Sequence, residues 1–181
     1  MEAAMKRTTM LLALGGVLVA ASACDRGPTP STSSPETTSA VQPAELASTS
    51  AVVAYKGMWE AFAAAGVTSD PDSQRLGQHA AGVALDKLKR SLRSDRDKGL
   101  VSRGEPVLAP KASDVKPVDV PTRVQVTDCG DSTNWLKYRK DTNLLADDVP
   151  GGLRLIEAVV DKQSDGTWKV SDWAVHEIGS C

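Results

Sequence analysis

The sequence is poor in the residues and motifs that build metal and nucleotide sites. Its 181 residues include 2 histidines and 3 cysteines, with no CxxC and no HExxH pattern, which argues against a dedicated zinc centre. It has neither a GxGxxG pattern nor a P-loop pattern, so the common phosphate-binding loops are missing as well. We therefore expect no metal and no cofactor.

A basic surplus is also lacking. Lysine and arginine number 21 against 23 aspartates and glutamates, giving a net charge of −2, whereas nucleic-acid-binding domains are usually strongly basic. The charged fraction of 24% and the hydrophobic fraction of 41% are those of an ordinary soluble domain. We expect one globular domain and no nucleic-acid partner.

The apolar run near the N-terminus is short for a membrane span. Residues 10–23 form 14 consecutive apolar or small residues, whereas a transmembrane helix needs about 20. Lys6 and Arg7 precede the run, and Asp25 and Arg26 follow it closely. This layout is typical of a secretory signal, so residues 1–23 are predicted to be a signal peptide and the mature protein to be exported.

The end of that segment resembles the lipobox of bacterial lipoproteins. Ser22 and Ala23 are small residues directly before Cys24. In that family the cysteine sulfur receives a diacylglyceryl group before cleavage. Ala21 stands where leucine is more usual, and Ala21-Ser22-Ala23 also fits ordinary signal peptidase at the same bond. The resemblance implies lipidation of Cys24 and anchoring through this lipid to the outer face of the cytoplasmic membrane; an unacylated chain would be secreted.

A polar tract follows Cys24. Residues 24–44 include 8 serines or threonines and 4 prolines among 21 residues, and Val41 is their only sizeable apolar residue. Such a composition cannot bury enough surface to offset the entropy lost on ordering, so we predict a disordered tether. In a polyproline conformation it would reach up to roughly 65 Å. The domain itself is predicted to span residues 45–181.

The first half of the domain shows helical periodicity. One apolar stripe predicts a helix that ends at Gly66, and a second predicts a helix that ends near Gly99. Asp70-Pro71, an N-cap followed by proline, predicts the start of a short helix between them. The stripes consist of Val52, Tyr55, Trp59 and Phe62, and of Ala81, Leu85, Leu88 and Leu92.

The second half of the domain is predicted to be strands. The candidates are residues 100–108, 122–129, 134–139, 153–161 and 168–177. Asp165-Gly166 separates the last two and is a strong hairpin signal. Helices followed by an antiparallel meander indicate an α+β domain with the helices on one face of the sheet.

The cysteine count is consistent with a lipidated Cys24. If Cys24 carries a lipid, Cys129 and Cys181 remain as an even pair in an oxidising compartment. We predict that these two form a disulfide that holds the C-terminal end of the chain.

The layout resembles the nuclear transport factor 2-like superfamily, also called the cone or cystatin-like fold, and within it a group of secreted lipoproteins from high-GC Gram-positive bacteria. The resemblance covers about residues 46–181 and implies three N-terminal helices packed on a curved antiparallel sheet. It rests on Tyr55-Lys56-Gly57-Met58-Trp59, Ala81-Gly82-Val83-Ala84-Leu85, Gly104-Glu105-Pro106-Val107, Asp128-Cys129-Gly130-Asp131, Asp165-Gly166-Thr167-Trp168-Lys169-Val170 and the terminal Cys181.

Three residues are candidates for a site inside such a cone. Tyr55 and Trp59 lie on the apolar stripe of the first helix and would line a pocket, although aromatic residues at this spacing are more often plain core. Asp128 shares a strand face with Val124 and Val126, where a carboxylate with a raised pKa would act as a general base. The alternative, which Asp128-Cys129-Gly130-Asp131 favours, is a turn.

No constellation for nucleophilic catalysis accompanies these residues. The preferred hypothesis is therefore a non-catalytic, lipid-anchored envelope protein whose domain binds a partner protein or a small apolar ligand. The alternative is a small cofactor-free isomerase, hydratase or cyclase acting through Asp128. An open cavity with Asp128, Tyr55 or another polar group directed into it would favour the enzyme, and a filled core would count against it.

Overall fold

The computed structural model describes residues 42–146 and 151–181. The predicted signal peptide, the lipidation site Cys24 and the predicted tether up to residue 41 lie outside the described residues. Within the described ranges, no helix combines the length and the apolar character needed to cross a membrane.

The first described element is a long helix, α1 (Pro43–Gly66). It begins two residues inside the predicted tether, because proline is well accommodated in the first turn of a helix, where its missing N–H costs no hydrogen bond. The predicted apolar stripe is confirmed: Tyr55, Trp59 and Phe62 are buried, and Met58 is buried beside them.

Two further helices follow, α2 (Leu76–His79) and α3 (Gly82–Asp97). The predicted helix start at Asp70-Pro71 is wrong. The carboxylate of Asp70 instead accepts a hydrogen bond from the backbone N–H of Asp72 at 3.0 Å, which stabilises a turn, and the helix begins only at Leu76. Helix α3 agrees with the sequence pattern.

In the described ranges, six strands form two antiparallel sheets. They are β1 (Leu100–Arg103), β2 (Lys111–Lys116), β3 (Arg123–Asp131), β4 (Leu136–Arg139), β5 (Leu153–Lys162) and β6 (Trp168–Val175). The larger sheet has the order β2-β3-β5-β6, and the smaller one pairs β1 with β4. The predicted β5–β6 hairpin is confirmed, with Gly166 at φ 85° in its turn.

Two features of this topology differ from the prediction. The pattern gave no signal for β2, since this edge strand is mostly polar and its pairing shifts register between Ala112 and Asp114. The meander is interrupted as well, because β4 leaves it to pair with β1. Apolar–polar alternation identifies a strand but not its partner, so the pairing of β4 with β1 could not be predicted from the sequence.

The core lies between α1 and the larger sheet. Alternate residues of β3, from Val124 to Gly130, are buried, and this inner face meets α1, which contacts all four strands of the sheet. Leu88 and Leu92 of α3 are fully buried in the same cluster. The α+β class with helices laid on an antiparallel sheet is confirmed.

Candidate functional site

An apolar cleft of about 460 Å³ opens between α1 and one end of the inner sheet face. Trp59 and Phe62 of α1 line it on one side, and Ile156 of β5 and Val175 of β6 line it on the other. Strand pairing explains the position, because Val175 lies opposite Ile156 and both belong to the inner face. A cleft of this size falls in the range of about 300–1,000 Å³ that is typical of small-molecule pockets.

Four aromatic rings form a connected cluster in the wall of the cleft. The ring centroid of Trp59 lies 5.4 Å from that of Trp173 and 6.0 Å from that of Trp135. Phe62 meets Trp135 edge to face at 5.4 Å. Such contacts hold the rings in fixed orientations, so the aromatic surface is largely formed before any ligand arrives.

The wall also contains polar atoms without partners. The indole N–H groups of Trp59, Trp135 and Trp173 are buried and have no hydrogen-bond acceptor among the described residues. Buried donors are normally satisfied, and a bound molecule or water in the cleft is one way to satisfy these three.

Two basic side chains line the cleft, and no acidic one does among the described residues. Lys137 is already neutralised, since its ammonium group pairs with the carboxylate of Asp95 and donates to the hydroxyl of Ser102 at 2.8 Å. Arg154 has no ion-pair partner in the described part of the chain. One of its N–H groups donates to the carbonyl of His176 at 3.3 Å.

The C-terminal residues form the remaining wall. The backbone N–H groups of His176 and Gly179 donate to the carbonyls of Leu155 and Leu153 at 2.9 and 2.8 Å, which continues the pairing beyond β6. Ile178 lies between them and lines the cleft. The predicted Cys129–Cys181 disulfide is present, with Cα atoms 5.8 Å apart, and fastens this segment to β3.

Asp128 lies inside β3, so its interpretation as a turn residue is wrong. It pairs with Ile156 in the middle of the sheet, because the chain continues in strand conformation through Asp131 despite its turn-like composition. Asp128 is only 3% exposed, and both of its carboxylate oxygens are hydrogen-bonded. Oδ2 accepts from the hydroxyl of Tyr55 at 3.1 Å, and Oδ1 accepts from the backbone N–H of Ala109 at 2.8 Å.

Of the three predicted pocket residues, Trp59 lines the cleft, whereas Tyr55 and Asp128 lie outside its lining. Tyr55 is completely buried. Burial and, second, the negative charge of Asp128 raise the pKa of Tyr55 above its ordinary value, so Tyr55 remains the proton donor of this pair.

The sequence did not single out Trp135, Trp173 or Arg154 as site residues. The only available signal was the two-residue periodicity of a strand. Arg154 precedes the apolar Ile156 by two positions, and residues two apart share a strand face. Trp173 lies on the same face because it pairs with Ala158, a register that the sequence does not specify.

Comparison with protein-family models and with curated proteins gives no match for this chain. Among solved structures, the intermembrane-space region of the chloroplast protein ARC6 superposes with a TM-score of 0.52 at 15% identity, covering 72% of this chain and 96% of that one. A ketosteroid isomerase-like protein from Erwinia carotovora atroseptica SCRI1043 superposes with a TM-score of 0.41 at 11% identity, covering 70% and 92%. The likeness to ARC6 shows a shared fold, and the helices-first element order is the one implied by the nuclear transport factor 2-like resemblance.

Proposed function

We propose that this chain is a non-catalytic binding protein whose cleft takes up a small apolar ligand. In this proposal the protein is exported and held on the outer face of the cytoplasmic membrane by a lipid on Cys24. The observation that carries the proposal is the aromatic cleft lined by Trp59, Phe62, Trp135 and Trp173. An apolar cleft that is open to water is costly unless it is used, and its concave form suits a small molecule better than a protein surface.

The position of Asp128 argues against catalysis at this site. A general base must lie within hydrogen-bond reach of the substrate, about 2.6–3.2 Å from the group whose proton it removes. Both oxygens of Asp128 already accept hydrogen bonds, from Tyr55 and from the backbone of Ala109. Neither Asp128 nor Tyr55 lines the cleft. The pair therefore supports a structural role better than a catalytic one.

Fluorescence of the neutral apolar dye N-phenyl-1-naphthylamine tests ligand uptake. The full chain carrying Cys24→Ala is used, so that no attached lipid competes for the dye. We expect saturable binding to this protein. A cleft-filling variant, Val175→Trp, should bind at least about tenfold more weakly, because the larger side chain occupies the volume that the ligand needs.

The matched control is Val120→Trp. Val120 is 71% exposed and does not line the cleft, so the same substitution there should leave dye binding unchanged. The proposal is overturned if the Cys24→Ala chain without a tryptophan substitution does not bind the dye, or if Val175→Trp and Val120→Trp bind it equally well. A protein partner then becomes the better hypothesis.

Anchoring is tested separately through Cys24. In the native host, the wild-type protein should partition into detergent, and its N-terminal peptide should carry the mass of a diacylglyceryl group. Cys24→Ala should release the domain into the medium with an unchanged melting temperature, since Cys24 lies outside the predicted domain. Recovery of the wild-type protein from the medium with a free Cys24 thiol would exclude lipid anchoring.

A further inference from the structure

Arg154 occupies an unusual place for a charged residue, on the inner face of the larger sheet. In β5, Ile156, Ala158 and Val160 are buried on that face, and Arg154 lies on it too because it precedes Ile156 by two positions. It is half-buried and lines the cleft beside these apolar residues. Its hydrogen bond to the carbonyl of His176 is exposed, so the guanidinium group lies where a ligand entering the cleft can reach it.

The described residues do not supply a carboxylate for Arg154. Their ion pairs involve other residues, and the second cation of the cleft, Lys137, already has Asp95 as its counterion. Among the residues that the structure describes, Arg154 is therefore the one cation of the cleft lining without a carboxylate partner.

The neighbour of Arg154 on the adjacent strand is a glycine. In the β3–β5 register, Arg154 lies directly opposite Gly130, which has no side chain. Gly130 and Ser132 also line the cleft at this point. The side chains of Ile156 and Leu108 occupy the space over Gly130, so the head group of a ligand reaches Arg154 from the cleft, while the aromatic cluster contacts the rest of the ligand.

We propose that the ligand is an amphipathic acid: an apolar ring or short chain with one anionic head group that binds Arg154. This inference rests on the proposed function and specifies its ligand class. The planar guanidinium matches a carboxylate through two parallel N–H···O hydrogen bonds, an arrangement that lysine does not reproduce. The apolar body of the ligand lies against Trp59 and Trp173, and its acid group pairs with the guanidinium of Arg154.

Displacement of N-phenyl-1-naphthylamine by decanoate and by decan-1-ol tests the head group. The two competitors share a ten-carbon chain, and the alcohol is the more apolar of them. By hydrophobicity alone decan-1-ol should compete better. We expect the reverse on the Cys24→Ala chain, with decanoate at least about tenfold stronger, because its charged head group hydrogen-bonds to the guanidinium of Arg154 more strongly than a neutral hydroxyl does.

Arg154→Gln should abolish this preference while the neutral dye still binds. The control, Arg90→Gln, changes the net charge equally on the exposed face of α3 and should keep the preference. Arg154→Lys should retain only part of it, because an ammonium group lacks the planar fork.

The outcomes separate the two proposals. If the dye binds but decanoate has no advantage, or if its advantage persists in Arg154→Gln, the acid-binding inference is overturned and the apolar-ligand function stands. If the dye does not bind at all, the proposed function itself fails.

Discussion

The hydroxyl of Tyr55 donates a hydrogen bond to Oδ2 of Asp128 over 3.1 Å and so ties the middle of α1 to the inner face of β3. Both residues are buried, and the second carboxylate oxygen of Asp128 is held by the backbone N–H of Ala109. A carboxylate at this depth is tolerated because donors surround it. This pair fixes how the helix sits on the sheet.

Removing the Tyr55 hydroxyl should therefore destabilise the domain. Tyr55→Phe leaves an oxygen of Asp128 buried without its donor, which costs about 1–3 kcal/mol of unfolding free energy. The other tyrosine, Tyr138, is half-buried, and its hydroxyl has no hydrogen-bond partner among the described residues. Tyr138→Phe is the matched control and should change stability by no more than about 0.5 kcal/mol. Chemical denaturation measures both, and equal effects would contradict the assigned role.

Dye binding by Tyr55→Phe provides a second readout. Since Tyr55 lies outside the cleft lining, the folded variant should bind N-phenyl-1-naphthylamine as the unsubstituted chain does. A selective loss of binding, with stability intact, would mean that Tyr55 belongs to the ligand site after all.

Much of the fold could be predicted because periodic burial produces a matching pattern of apolar residues in the sequence. The stripe through Tyr55, Trp59 and Phe62 identified α1, and the Asp165-Gly166 turn identified the last hairpin. These signals are local. Each depends on residues that are close in sequence and obey a single spacing rule.

The cleft was harder to predict because its lining depends on pairing between segments that are distant in sequence. Arg154 belongs to the cleft only because β5 pairs with β3 in a register that places it opposite Gly130. Asp128 was assigned to a turn for the opposite reason: local turn chemistry favoured it, and tertiary pairing through Asp131 overrode that preference. No spacing rule within one segment carries either piece of information.

Gly57 on α1 illustrates a constraint from close approach, and substituting it should destabilise the domain. A Cβ atom at this position would lie 2.6 Å from the imidazole ring of His79. Gly57→Ala should therefore cost about 1–3 kcal/mol through overpacking, partly offset by about 1 kcal/mol of better helix propensity. Adding His79→Ala should recover most of the loss.

The control for this experiment is Gly77 in α2. A Cβ atom there would meet nothing within 4 Å, so Gly77→Ala should be neutral or slightly stabilising in the same denaturation assay. If Gly57→Ala is equally harmless, the contact between α1 and His79 is looser than the structure indicates.

Stability in acid should depend on the Asp161–Arg123 pair. The guanidinium of Arg123 donates to both carboxylate oxygens, at 2.7 and 3.0 Å, and these hydrogen bonds hold the pKa of Asp161 below its ordinary value. A lowered folded-state pKa means that the stabilisation is complete above the unfolded value of about 4 and is lost as the pH falls through the folded value.

Asp161→Asn should consequently reduce the unfolding free energy at pH 7. This gap, the difference in unfolding free energy between the variant and the unsubstituted chain, should narrow as the pH falls below about 4. Urea titrations at a series of pH values measure the gap. Asp119→Asn serves as the comparison, because Asp119 is exposed and its side chain makes no hydrogen bond or ion pair within the described residues. A gap for Asp161→Asn that stays constant down to pH 2 would refute the linkage.

The Cys129–Cys181 disulfide should contribute both to stability and to the cleft. It closes a loop with a sequence separation of 52, for which the chain-entropy model gives about 4 kcal/mol. Cys129→Ser and Cys181→Ser should each lower the unfolding free energy by up to that amount. The double variant should cost little more than either single one, because all three lack the same bond.

The same variants should also weaken ligand binding, since the bond fastens the segment that carries Ile178 into the cleft wall. We expect N-phenyl-1-naphthylamine to bind several-fold less tightly to folded Cys181→Ser than to the chain with the bridge intact. Ile178→Ala, which keeps the disulfide but removes the side chain from the wall, should weaken binding to a similar extent with a smaller loss of stability. Unchanged dye affinity in both variants would show that the C-terminal segment covers the cleft without contacting the ligand.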